Sequence, residues 1–170
     1  MRQYAYFASR DFDGWPSLQE IEPYFRGIPG RSWFAPRRRW FNETGNDTAG
    51  FLIETAHPKQ EDRITVELML WGNLKYGVLL IWSMSGGGYA EHYASKGDLE
   101  RLKEFVRTEH SDPNPIGLYV PFERAWEAVK EFLQDHGTRP QSIDWIATSE
   151  LPDDVFPDQH DIPKDARLVR

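Results

Sequence analysis

The stretch VPFERAWEAVKEFLQDHGTRPQSIDW, Val120 to Trp145, is the most regular in the chain. Its apolar residues Phe122, Ala125, Trp126, Val129, Phe132 and Leu133 recur at spacings of three and four, and Glu123, Lys130, Glu131 and Gln134 fall on the other side. That period predicts an amphipathic helix. Pro121 suits its first position, where a missing N–H leaves no bond unmade. Gly137 is placed to cap the C-terminus, and Pro140 prevents the helix from resuming. Ile143 and Trp145 then alternate with polar neighbours, as in a short edge strand. A helix with one apolar stripe must bury it, so the expectation is a helix packed on an antiparallel sheet.

Working upstream, Gly50–Thr55, Ile64–Trp71 and Tyr76–Met84 are rich in β-branched and aromatic residues and bounded by turn signals, which predicts three strands. Trp71-Gly72-Asn73 predicts the hairpin turn between the second and third. Gly86-Gly87-Gly88 predicts another turn, into Tyr89–Ala94, where Tyr89, Glu91 and Tyr93 alternate as on a half-exposed strand. Ser17 with Glu20 has capping-box spacing for a short helix over residues 17–27, which Pro23 ends early or kinks. Residues 31–45, with Trp33, Phe34, Trp40 and Phe41 around Arg37, Arg38 and Arg39, read as a strand or loop charged on one side. Leu99, Leu102, Phe105 and Val106 fall at helical spacing within 98–110, and Ser111–Pro115 reads as a loop. The sum is an α+β fold: an antiparallel sheet of about five strands with two to four helices packed on it. One domain is expected over residues 1–148. Residues 149–170 follow as an acidic, proline-containing arm, extended and ordered where Val155, Phe156 and Ile162 find a groove. Between 149 and 165 it carries Glu150, Asp153, Asp154, Asp158, Asp161 and Asp165 against Lys164.

At 170 residues the chain has the length of one domain with a real core. Seven Trp and ten Phe make that core one of large rings. With no cysteine, disulfides, thiol catalysis and Cys-based zinc sites are excluded. The N-terminal MRQYAYFASRDFDGW has no apolar signal core, and the longest apolar run, Val78 to Trp82, is too short to span a bilayer. A soluble cytoplasmic protein without membrane contact is expected. The formal net charge of −7 argues against phosphate-backbone binding and for a basic partner.

Motifs for chemistry are sparse. His57, His92, His110, His136 and His160 show neither HxxxH nor HExxH spacing, so no metal is expected. The triple glycine matches no dinucleotide or P-loop pattern, and Ser83 and Ser85 lie in no GxSxG elbow, so neither cofactor nor serine nucleophile is expected. Arg37-Arg38-Arg39 among rings has the make-up of a small single-strand nucleic-acid surface, but in an acidic protein a solvated or ion-paired face is the plainer reading, and no nucleic-acid partner is expected. Glu91, beside Tyr89, His92 and Tyr93, is the best isolated candidate for a polar site. An acid–base role would need a second group converging on it. One alternative stays open: an enzyme or small-molecule-binding protein with a pocket near Glu91, recognisable by a deep apolar cavity with converging polar groups.

Val120-Pro121, Ala125, Ala128, Phe132, Gly137, Arg139-Pro140, Ile143 and Trp145 together closely resemble the C-terminal signature of the Immunity-protein-1 family. Tyr93-Ala94-Ser95-Lys96-Gly97 resembles the end of the same family's sheet, and the likeness spans residues 17–147. The acidic arm and the charged segment 98–115 lie outside the signature. The resemblance implies a small cytoplasmic α+β protein encoded beside a secreted bacterial polymorphic toxin, of which contact-dependent inhibition effectors are one kind. It implies a non-enzyme that binds a cognate toxin domain, such as a nuclease or nucleic-acid deaminase, and blocks it. The expected partner is therefore a basic toxin domain in a 1:1 heterodimer, since clefts that bind polyanions are basic. The residues expected to contact it are Tyr89, Glu91, His92 and Tyr93 on the strand, and Asp153, Asp154 and Asp158 on the arm.

Overall fold

Strand pairing starts at the N-terminus, in a segment whose ring-rich alternation carries no other signal. β1 (Arg2–Phe7) turns into β2 (Arg10–Asp13) as an antiparallel hairpin. The structure, a computed structural model, describes residues 1–7, 10–26, 46–108 and 111–169. The ring-flanked Arg37–Arg39 segment and His110 lie outside the described residues. The capping residues act as expected at α1 (Leu18–Ile21), where the Glu20 carboxylate accepts from the Ser17 N–H at 2.8 Å and from its hydroxyl at 2.7 Å. Pro23 ends the α-helix, and one 3₁₀ turn over Glu22–Tyr24 follows.

β3 (Asn46–Glu54), β4 (Thr65–Asn73), β5 (Gly77–Gly86) and β6 (Tyr89–Ser95) form an antiparallel meander. Gly87 and Gly88 make the last turn, both with φ positive. The β4–β5 turn sits later than Trp71–Asn73, at residues 74–76. The Asn73 side-chain oxygen accepts from the N–H of Lys75 (2.9 Å) and Tyr76 (3.1 Å), so Asn73 ends the strand and caps the turn.

Residues 98–108 are not a helix. A 3₁₀ turn over Leu99–Arg101 leads into β7 (Glu104–Arg107). The cause is tertiary: residues 104–107 pair with strands from outside the segment on both sides. The expected loop at 111–115 contains β8 (Pro113–Pro115), an edge strand, where proline is tolerated. A 3₁₀ turn and β9 (Tyr119–Val120) follow, and β9 pairs with β5.

α2 spans Phe122–Gln134, with Pro121 one position earlier than the first turn and its carbonyl accepting from Ala125 N–H at 3.0 Å. Gly137 closes it with φ +90°, its N–H donating to Phe132 at 2.8 Å. β10 (Trp145–Ala147) is the edge strand beside β6, and β11 (Arg167–Leu168) runs parallel to β7.

Among the described residues the main sheet has eight strands, in the order β10-β6-β5-β4-β3-β1-β2 with β9 added on β5, where about five were expected. A second sheet is ordered β11-β7-β8, and the α-helices are two. The extra strands β1, β2 and β9 are six, four and two residues long, and β9 is too short for alternation to register. Each face of the main sheet carries its own core. On one, Ala5, Phe51, Leu68, Leu80 and Trp82 meet Trp126, Val129 and Phe132 of α2; on the other, Leu79 and Ala94 meet Val106, Ile116 and Leu118.

Candidate functional site

The signature residues first. The indole N–H of Trp82 donates to the Gly137 carbonyl (2.9 Å), and that of Trp145 to the Pro140 carbonyl (2.7 Å). The Glu131 carboxylate accepts from the N–H of Gln141 (2.7 Å) and Ser142 (2.9 Å). Burial alone would raise that carboxyl, but these bonds outweigh it and hold it below the usual range. The Arg139 guanidinium stacks on the Tyr93 ring at 3.7 Å and on Trp82 at 5.8 Å. Ser95, fully buried, accepts from Leu80 N–H (3.0 Å) and donates to the Leu118 carbonyl (2.6 Å). These groups spend their hydrogen bonds inside the fold. The signature is scaffold.

The residues expected to touch a partner do not form one patch. Register places Tyr89, Glu91 and Tyr93 on the α2 side of the sheet, Glu91 opposite Met84 and Tyr93 opposite Trp82. Tyr93 is half-buried beneath Arg139, whereas Tyr89 is 47% exposed. His92 is exposed on the other side, its carbonyl accepting from the Thr148 hydroxyl at 3.4 Å. The arm starts on that same side: Leu151 and Val155 are buried against the cluster that holds Ala94. An ion pair from Lys103 to Asp165 and the N–H of Arg167 on the Lys103 carbonyl (2.8 Å) tie its later part to β7. Asp153, Asp154 and Asp158 remain exposed, and Phe156 is 38% exposed. Glu91 lines none of the grooves bordered by His57 and Arg63, by Leu102 and Val155, or by Tyr76 and Arg101. Among the described residues no group of three or more histidines and carboxylates could hold a metal. No helix among them is long and apolar enough to cross a membrane.

One surface escaped the sequence reading. On the side away from α2, pairing aligns Asp13, Tyr4, Leu52, Glu67, Ser83 and His92 in one row, and Asp11, Tyr6, Gly50 and Met69 in the next. The second sheet and the arm cover this side over β5 and β6, at Leu79 and Ala94. Neither core cluster includes Tyr4, Tyr6, Leu52 or Met69; Tyr6 is 38% exposed and the other three are half-buried. Burial pushes the Glu67 carboxyl up, with no donor or cation among the described residues to offset it. The available signal was Glu67 itself, one charge inside the apolar run Val66-Glu67-Leu68-Met69-Leu70.

The family model for Immunity protein Imm1 matches residues 38–147, well over half of the chain. The chain belongs to the Imm1 immunity protein family. No curated protein and no solved structure matches it. The Imm1 match ends with β10 and includes the scaffold around Arg139 and Trp145. It begins later than residue 17, so β1, β2 and α1 lie outside it, as does the arm, while segment 98–115 lies within.

Proposed function

We propose that this chain is an immunity protein that binds a cognate secreted bacterial toxin domain and neutralises it by occluding its active site. The observation that carries the reading is the Imm1 match over 38–147. The acidic balance supports a basic toxin, a nuclease or nucleic-acid deaminase whose cleft receives a polyanion. In this reading the protein has no turnover of its own and acts in the cytoplasm of the toxin-producing cell, in a 1:1 heterodimer. Exposed His92 contacts the toxin and the exposed Asp153, Asp154 and Asp158 steer the encounter; Tyr89, Glu91 and Tyr93, on the α2 side of the sheet, are the rival contact surface. The test is co-expression with the C-terminal domain of the secreted protein encoded beside the gene. Rescue of growth, and co-purification at a 1:1 mass, are expected. The triple change Asp153→Asn, Asp154→Asn, Asp158→Asn should lower the association rate and its salt dependence, with little change in dissociation. Unrelieved toxicity with the folded chain present in excess would overturn the reading.

A further inference from the structure

We propose that the toxin docks on the part of the main sheet that no other described element covers, centred on Glu67, and seats a lysine or arginine side chain against that carboxylate. This rests on the immunity reading and says where, and with what chemistry, the partner binds.

Position comes first. Glu67 is the third residue of β4, with Leu52 and Ser83 directly opposite on either side and Met69 two residues along on the same face. A carboxylate held half-dry among such groups without a cation is unfavourable in the free protein and becomes favourable when a partner supplies the charge.

The surroundings are those of a binding patch. A Cβ on Gly50 would lie 2.7 Å from the Met69 sulfur, so the glycine lets the methionine lie flat across β3. Tyr4 and Tyr6 extend the apolar area towards the β2 edge. Rings and methionine are what interface centres favour, because they bury area at low entropic cost and adapt their shape.

Charge then selects the occupant. Among the described strand residues of β1 to β4 on this face, Asp11, Asp13, Glu54 and Glu67 stand against one cation, Arg2, which is stacked on the Tyr4 ring at 4.5 Å. Two copies of such a face repel, whereas a basic protein surface is attracted. At the other edge, His92 meets the start of the arm through Thr148, so the arm's acids extend the same negative side. β1, β2 and the arm all lie outside the Imm1 match. The docking face therefore joins strands inside the family match to segments outside it.

The test uses the full chain and, as probe, the toxin domain encoded beside the gene. Affinity and melting temperature are measured for the wild type, Glu67→Lys, Tyr6→Ala and Tyr89→Ala. Glu67→Lys should weaken binding at least about 100-fold, since it sets like charges together at the centre of the contact. Tyr6→Ala should cost about 10-fold with the melting temperature nearly unchanged. It also carries the test if Glu67→Lys does not fold. If the wild type binds tightly, Glu67→Lys and Tyr6→Ala bind as well, and Tyr89→Ala alone weakens binding, the docking face is wrong while the immunity reading stands. If the wild type does not bind at all, both fail. Self-association of the wild type that Tyr6→Ala abolishes would make this face a contact between copies, and also overturns the proposal.

Discussion

The two faces of the main sheet are made by the same strands and differ in what each residue is asked to do. In the row that faces α2, Ala5, Phe51, Leu68 and Trp82 are buried and opposite one another, under Trp126 and Phe132. One residue along each strand, the row Tyr4, Leu52, Glu67 and Ser83 is only half-buried. Pleat alternation lets one set of strands hold a core and a recognition surface back to back. It also separates stability from binding, because side chains on opposite faces share little but backbone. A one-residue register slip would exchange the two rows, so the helix-side core also fixes which residues are offered outward.

The largest effect that could break this division is on the covered face. Trp126 is 2% exposed and its ring lies 5.7 Å from Phe25. Trp126→Ala should cost about 3–5 kcal/mol, measured by denaturant unfolding. An unchanged unfolding midpoint with lost toxin binding would mean that α2, not the open face, is the interface. Next is Ser95→Ala, which strips the Leu80 N–H and the Leu118 carbonyl of a shared buried partner. About 1–3 kcal/mol should be lost, with affinity for the toxin unchanged in the folded fraction. A change in affinity without a change in stability would show that the two faces are coupled through β6.

The same contrast explains what could be read from residues alone. α2 was legible because its code is local: one stripe of six apolar residues, Gly137 to stop it and Pro140 behind. The meander β3–β6 was legible for similar reasons, with a three-residue shift of the turn that Asn73 caps. The segment 98–115 was not. Leu99, Leu102, Phe105 and Val106 imitate a helical period, but the buried pair Phe105 and Val106 belongs to a strand with neighbours on both sides, one of them from residues 167–168. That pairing is long-range, and no local window contains it. The uncovered face was hidden for a different reason. Tyr4 and Leu52 are unremarkable in their own segments, and even Glu67, the one charge in its apolar run, joins them in a row only when three strands align. The expected strand residues were read as one group, yet alternation sends His92 to the side opposite Tyr89, Glu91 and Tyr93.

The smallest expected effect has the opposite sign, and it is the sharpest test of the division. If Glu67 is kept for a partner, the free protein should tolerate its loss and even gain. Burial raises its folded carboxyl above the ordinary glutamate range, about 4.3. Below the unfolded value both states are protonated and Glu67 is neutral to stability. As pH rises from there through the folded value, the unfolded chain sheds the proton first, so stability falls and stays lower at neutral pH. Glu67→Gln removes that loss. It should raise the melting temperature by about 1–2 °C at pH 7, the scale of a few tenths of a kcal/mol suited to a half-exposed group. The gain should shrink as the pH falls through the raised folded value and be gone below about 4. The same change should weaken toxin binding, since the amide cannot pair with a cation. A variant less stable than the wild type at pH 7 would mean that the carboxylate has a structural partner, and that the open face serves the fold rather than recognition.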